Sequence, residues 1–120
     1  MGDLSKNFNK SEFLCKCGCG AFVLREDLIY KLQKIRDRLG MPIMLTSGTR
    51  CAIHNREVSG VDTSPHLDGW AADIYCKNNF LLLKYAMQLF KRVGIAKGFI
   101  HVDIDPTKSQ EVYWVYGPNR

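Results

Sequence analysis

Two histidines and an aspartate carry the clearest chemistry in this chain. His66 and Asp73 stand seven residues apart in SPHLDGWAADI, and His101 follows in GFIHVDID. Neutral imidazole nitrogens and a carboxylate oxygen are borderline ligands that suit Zn²⁺. Three protein ligands leave a fourth tetrahedral position for water, the pattern of a catalytic zinc rather than a closed structural one. The alternation of a strand supports the grouping. Asp73 leaves its strand on the face opposite Ala72 and Ile74 and shares its own face with Ala71, whose small side chain leaves room for a metal. His101 and Asp103 likewise share a face, with Ile100 and Val102 on the other. Unpaired buried charge is costly, and a cation would pair these groups. The spacing H-x₆-D is not specific by itself, so hydrogen-bonded core histidines remain a second reading of the same residues. His54, in CAIHN, pairs with nothing in the pattern and reads as an ordinary hydrogen-bonded histidine.

The elements that must position these residues follow from periodicity. Ser11 and Glu12 start a short helix anchored by Phe8 and Phe13. Leu24, Leu28, Leu32, Ile35 and Leu39 recur at helical spacing, and Gly40 and Pro42 close that helix. Residues 43–46 read as a strand and Ser47-Gly48 as a turn. Residues 51–67 are irregular and predict a long loop of the kind that carries function. Residues 71–76 read as a strand. Residues 80–93 read as a second helix, capped by Asn78 or Asn79, ended by Gly94 and buried on more than one side. Residues 99–104 and 111–116 are two further strands around a turn at Asp105-Pro106. The fold class is α+β, a small antiparallel sheet with two main helices packed on it.

At 120 residues the chain predicts a single domain, 1–120, with one modest core. No apolar run reaches the roughly 20 residues that span a bilayer, and the start, MGDLSKNFNK, lacks the apolar stretch of a secretory signal. The net charge of +5 favours anionic partners such as cell-wall polymers. No tight basic cluster or RNA-binding motif accompanies it, so neither nucleic acid nor a membrane is expected as a partner. Of five cysteines, Cys15, Cys17 and Cys19 alternate as C-x-C-x-C, which is not the usual zinc-knuckle spacing. Cys51 could complete a thiolate cluster with them. The favoured expectation is a tight turn carrying reduced thiols. Cys76 reads as a small core residue.

The run S-x-H-x-x-G-x-A-x-D, formed by Ser64, His66, Gly69, Ala71 and Asp73, resembles the signature of the M15 zinc peptidases. These include D-Ala-D-Ala carboxypeptidases and phage L-alanyl-D-glutamate endolysins. TSGTR resembles the family's S-G-x-R turn, His54-Asn55 fits its continuation, and FIHVD resembles the segment of the last zinc ligand. KNFNKSEFLCKCGCG is similar to the opening of phage-encoded members. The resemblance implies a Hedgehog/DD-peptidase-like fold, with His66, Asp73 and His101 as ligands of a Zn²⁺ cofactor. It implies that Arg50 orients or polarises substrate, as a planar, permanently charged fork can. It implies hydrolysis of peptidoglycan stem peptides; with no signal seen, the expectation is a monomer made in the cytoplasm and acting at the bacterial cell wall. Ser47 is added as a substrate contact or a stabiliser of its turn, and Trp70, Tyr113 and Trp114 as residues that line a substrate groove or else fill the core. Many members carry an acidic base three residues before the last ligand, where this chain has Gly98. Asp103 is the nearest replacement, or else it orients His101; Asp68 and Asp105 are weaker candidates. Gly98 keeps open a second expectation, a zinc-containing cell-wall binding module of the same fold with little or no catalysis.

Overall fold

The computed structural model describes residues 2–58 and 60–117. Among these described residues, four helices and five strands follow one another. They are α1 (Lys10–Phe13), α2 (Glu26–Leu39), β1 (Met44–Ser47), α3 (Ala52–Glu57), β2 (Ala71–Tyr75), α4 (Asn79–Leu89), β3 (Arg92–Ile95), β4 (Ile100–Asp103) and β5 (Val112–Val115). A 3₁₀ turn, Pro65–Asp68, lies between α3 and β2. The expected α+β class holds.

Helix α2 forms where the sequence repeats leucine and isoleucine on one stripe. Leu28, Ile29, Leu32, Ile35 and Leu39 are buried, and Gly40 caps the end in the left-handed conformation (φ 67°), donating its N–H to the Arg36 carbonyl. That stripe packs with α4 against one face of the sheet, where Ala72, Ile74, Val93, Ile100 and Val102 complete the core. Phe8 and Phe13 close it in an edge-to-face pair with centroids 6.1 Å apart.

The sheet order is β1-β2-β4-β3-β5. Its pairs are antiparallel except β3 with β5, which run parallel, so the expected antiparallel sheet holds but for that one pairing. The second helix stops at Leu89, and Arg92–Ile95 is a strand. Val93 and Ile95 are β-branched and alternate with smaller or polar neighbours, a short strand signal masked by the preceding leucine run. The expectation that the second helix is buried on more than one side fails at its start, where Phe80 is 89% exposed. The expected loop over residues 51–67 contains α3 and the 3₁₀ turn. Among the described residues, no helix is long and apolar enough to cross a membrane.

Candidate metal centre

Register places the chemistry on the sheet face away from the helices. Ser47 pairs with Asp73, Asp73 with His101, His101 with Gly94, and Gly94 with Trp114. Laterally paired residues share a face, so these five form one row across all five strands. A bulge between Leu45 and Ser47 adjusts the end of β1 to it. Ala71, opposite Asp103 on the same face, keeps the neighbouring position small.

His66, Asp73 and His101 converge as the sequence predicts. Nε2 of His66 lies 3.2 Å and Nδ1 of His101 2.9 Å from the same oxygen, Oδ1 of Asp73. His66 reaches the row from the 3₁₀ turn, which begins with the Ser64 hydroxyl accepting the His66 N–H and ends on Gly69 at φ 78°. A Cβ on Gly69 would stand 2.3 Å from the Val23 carbonyl oxygen, so both handedness and space require glycine here.

The outer nitrogens of both rings are fixed. Nδ1 of His66 meets the Gly48 carbonyl at 2.7 Å. A carbonyl only accepts, so Nδ1 carries the hydrogen and Nε2 presents a lone pair to Asp73. Nε2 of His101 meets Oδ2 of Asp103 at 2.7 Å, so it too donates, and neutral His101 turns the Nδ1 lone pair inward. Two imidazole lone pairs and a carboxylate oxygen then face one another with no donor between them. That is an arrangement only a cation or an added proton can satisfy, and the N, N, O set suits zinc.

The supporting groups are equally specific. Arg50 is buried, and its Nη2 holds Oδ2 of Asp73 at 3.1 Å, leaving Oδ1 for the imidazoles. Its Nε donates to Ser47 Oγ and its Nη1 to Asn55 Oδ1, each at 3.1 Å. Gly48, in the SGTR turn, is glycine because a Cβ would lie 2.8 Å from the Phe13 backbone. Behind His101, Asp103 also accepts from Arg92 Nε at 2.7 Å and from the Asp105 N–H at 3.1 Å.

In the metal-free chain these contacts set the titration. Burial opposes charge on His101, but hydrogen bonds to Asp103 and Asp73 outweigh it and raise its pKa. Burial dominates at His66 and pushes its pKa down, helped by the charges of His101 and Arg50. Burial would raise the carboxyl of Asp73; the positive charge that the His66 and His101 pair carries when protonated, and the hydrogen bonding to that pair, prevail and hold it well below the usual carboxylate range. Of the two rings, His101 is therefore the one that takes up an added proton more readily.

A cavity of about 240 Å³ opens on these groups, lined among others by Arg50, Arg92, Lys108, Phe99, Trp114 and Tyr116. Trp114 stands 5.5 Å and Tyr116 6.4 Å from the His101 ring, centroid to centroid. Gly94 makes this wall possible, since a Cβ there would lie 2.6 Å from the indole.

Not every predicted residue joins the centre. Ser47 sits at the end of the row as a partner of Arg50 and is absent from the cavity lining. Trp70 packs against the Arg25 guanidinium, 4.0 Å from its ring centroid, away from the cavity. Tyr113 alternates with Trp114 and is likewise not in the lining. Asp103 stands behind His101 rather than in the cavity, and Asp105 caps Thr107 through its N–H and hydroxyl. Asp68 contributes its backbone carbonyl to Arg25. His54 lies near Glu57. The lining carries Asp73 as its one carboxylate among the described residues. Sequence reasoning did not assign roles to Asn55, Arg92 and Tyr116. The only signal for Asn55 was its place in HN, after the SGTR turn.

This metal-ligating row on a small α+β domain is the kind of centre that zinc hydrolases use. The chain belongs to the Peptidase M15 family, which it matches over residues 6–103. Peptidases of this family are zinc-dependent. A search of curated proteins finds no match.

Proposed function

We propose that this chain is a zinc-dependent peptidase that hydrolyses a peptide bond in the stem peptides of bacterial peptidoglycan. The observation that carries the proposal is the convergence of three inward-facing acceptors, His66 Nε2, His101 Nδ1 and Asp73 Oδ1, at the floor of an open cavity. Zinc held by these residues would supply a Lewis-acid charge that polarises a carbonyl and acidifies a water.

The chain's own residues do the rest. Arg50 fixes the carboxylate of Asp73 and borders the cavity. Arg92 and Lys108 add positive charge to the lining, which suits the carboxylates of a stem peptide. Phe99, Trp114 and Tyr116 offer apolar walls for a short extended segment. Asp103 orients His101 and strengthens its inward lone pair, acting through the ring rather than on substrate. That leaves no second carboxylate on the cavity among the described residues, which favours an alternative: a zinc-bearing module that holds wall peptides and cleaves them slowly or not at all.

The test is to incubate the native chain and His66→Ala with purified peptidoglycan, identify released peptides by mass spectrometry and measure zinc in both proteins. New stem-peptide termini from the native chain alone, with zinc lost in the variant, support hydrolysis. A native chain that binds muropeptides and its zinc but releases nothing supports the module. Equal zinc in both proteins defeats both readings.

A further inference from the structure

The turn expected to carry reduced thiols is present, with all its cysteines free, and it gathers their sulfurs into one cluster. Cys15, Cys17 and Cys19 bring their sulfurs together with that of Cys51, more than thirty residues later, and all four lie within 4.8 Å of one another. The Sγ atoms of Cys15 and Cys17 are 3.5 Å apart and those of Cys17 and Cys51 3.7 Å apart. Four thiolates around zinc at about 2.3 Å define a tetrahedron with edges of about 3.8 Å. All four cysteines are free.

The backbone of the C-x-C-x-C segment explains the convergence. The segment is a tight turn rather than extended chain, with the Gly18 N–H donating to the Cys15 carbonyl at 3.2 Å. Gly18 and Gly20 lie at φ 86° and 83°, bending the segment around the sulfurs in a conformation that L side chains resist. Backbone N–H groups already point at the sulfurs: Cys51 donates to Cys15 Sγ at 3.4 Å, Ala21 to Cys19 Sγ at 3.5 Å and His54 to Cys51 Sγ at 3.3 Å. Hydrogen bonds of this kind favour the thiolate form that a metal needs.

We infer that Cys15, Cys17, Cys19 and Cys51 form a second, structural zinc site, separate from the His66–Asp73–His101 centre. Four thiolates fill the tetrahedron and leave no corner for substrate, so the site supports the fold rather than reacting. Its place indicates what it holds. Cys51 follows Arg50, the residue that grips Asp73, and the Thr49 N–H donates to the Phe13 carbonyl at 2.9 Å. The metal therefore staples the amino-terminal turn to the loop that carries Arg50. Closing so long a stretch of chain with a metal stabilises the fold chiefly by limiting the unfolded ensemble.

The experiment uses the full chain, purified under reducing conditions and loaded with zinc or with cobalt. The native chain is expected to hold two zinc ions. Its cobalt form is expected to show thiolate-to-cobalt charge-transfer absorption that persists in His66→Ala. A monofunctional mercurial reagent is expected to release one zinc from the native chain, and Cys51→Ser to carry one fewer. One zinc with the thiolate absorption supports the cysteine site while the histidine centre fails. One zinc without that absorption overturns the cysteine site and leaves the histidine centre standing. The cobalt and mercurial readouts need only the native protein, so a Cys51→Ser chain that does not fold leaves the test intact.

Discussion

His101 is the residue on which the centre turns, because both of its nitrogens meet carboxylates. In the metal-free chain its pKa lies above, and that of His66 below, the ordinary imidazole value of about 6.5. The signs follow by linkage. The stability contributed by His101 is fully present below the ordinary value and is lost as pH rises through the raised one. The contribution of His66 is present above the ordinary value and is lost as pH falls through the lowered one. Nuclear magnetic resonance titration of the metal-free chain should find the two midpoints on opposite sides of the free-imidazole value, with Asp103→Asn bringing His101 down. The reverse order would contradict the hydrogen-bond assignment. Zinc must displace the proton of His101, so its affinity at this centre should tighten as pH rises through that midpoint. Asp103→Asn should also weaken zinc about 10–100-fold, the usual effect of losing a partner behind a ligand, with hydrolysis recovering in excess zinc. Lost turnover at full occupancy would show that Asp103 acts on the proton itself. At this level the sequence was informative where residue type restricts chemistry: Asp73 and His101 on adjacent strands, with His66 on the turn before them, have few other uses. Asn55 and Arg92 were not legible, because ordinary polar side chains acquire a role only from partners that the fold brings near.

Glycines decide whether the elements can present that chemistry. At Gly94 a Cβ would strike the Trp114 indole at 2.6 Å and the Tyr116 ring at 2.8 Å. Gly94→Ala should therefore displace the aromatic wall, raising KM for a stem peptide while zinc content stays unchanged. An unchanged KM would remove Trp114 and Tyr116 from substrate contact. At Gly69 the left-handed backbone costs an L residue about 1–2 kcal/mol, and the Val23 carbonyl blocks the added carbon. Gly69→Ala should lower the thermal midpoint by roughly 5 °C or more and weaken zinc by moving the turn that bears His66; calorimetry of the two chains checks it. Helix α2 was legible because its apolar residues repeat over 14 residues. Strand β3 was not, because four residues after a leucine-rich helix carry too little pattern to separate from it. Its parallel partner β5 lies some twenty residues further on, so pairing direction had no local signal.

The whole molecule divides its labour between two sheet faces. One buries aliphatic side chains under α2 and α4; the other carries a row of polar and aromatic residues beneath the cavity. The α+β class was legible because strand alternation separates these faces in the sequence itself. The thiol cluster was not resolved by spacing alone, since Cys51 is distant in sequence and joins the other three only after α1 and the SGTR turn have packed. The central claim is the identity of the three zinc ligands. It is tested most directly by anomalous scattering at the zinc edge from crystals of the native chain. The account predicts a peak within about 2.0–2.2 Å of His66 Nε2, His101 Nδ1 and an Asp73 carboxylate oxygen. A fully zinc-loaded crystal with no anomalous peak among those three atoms would contradict it.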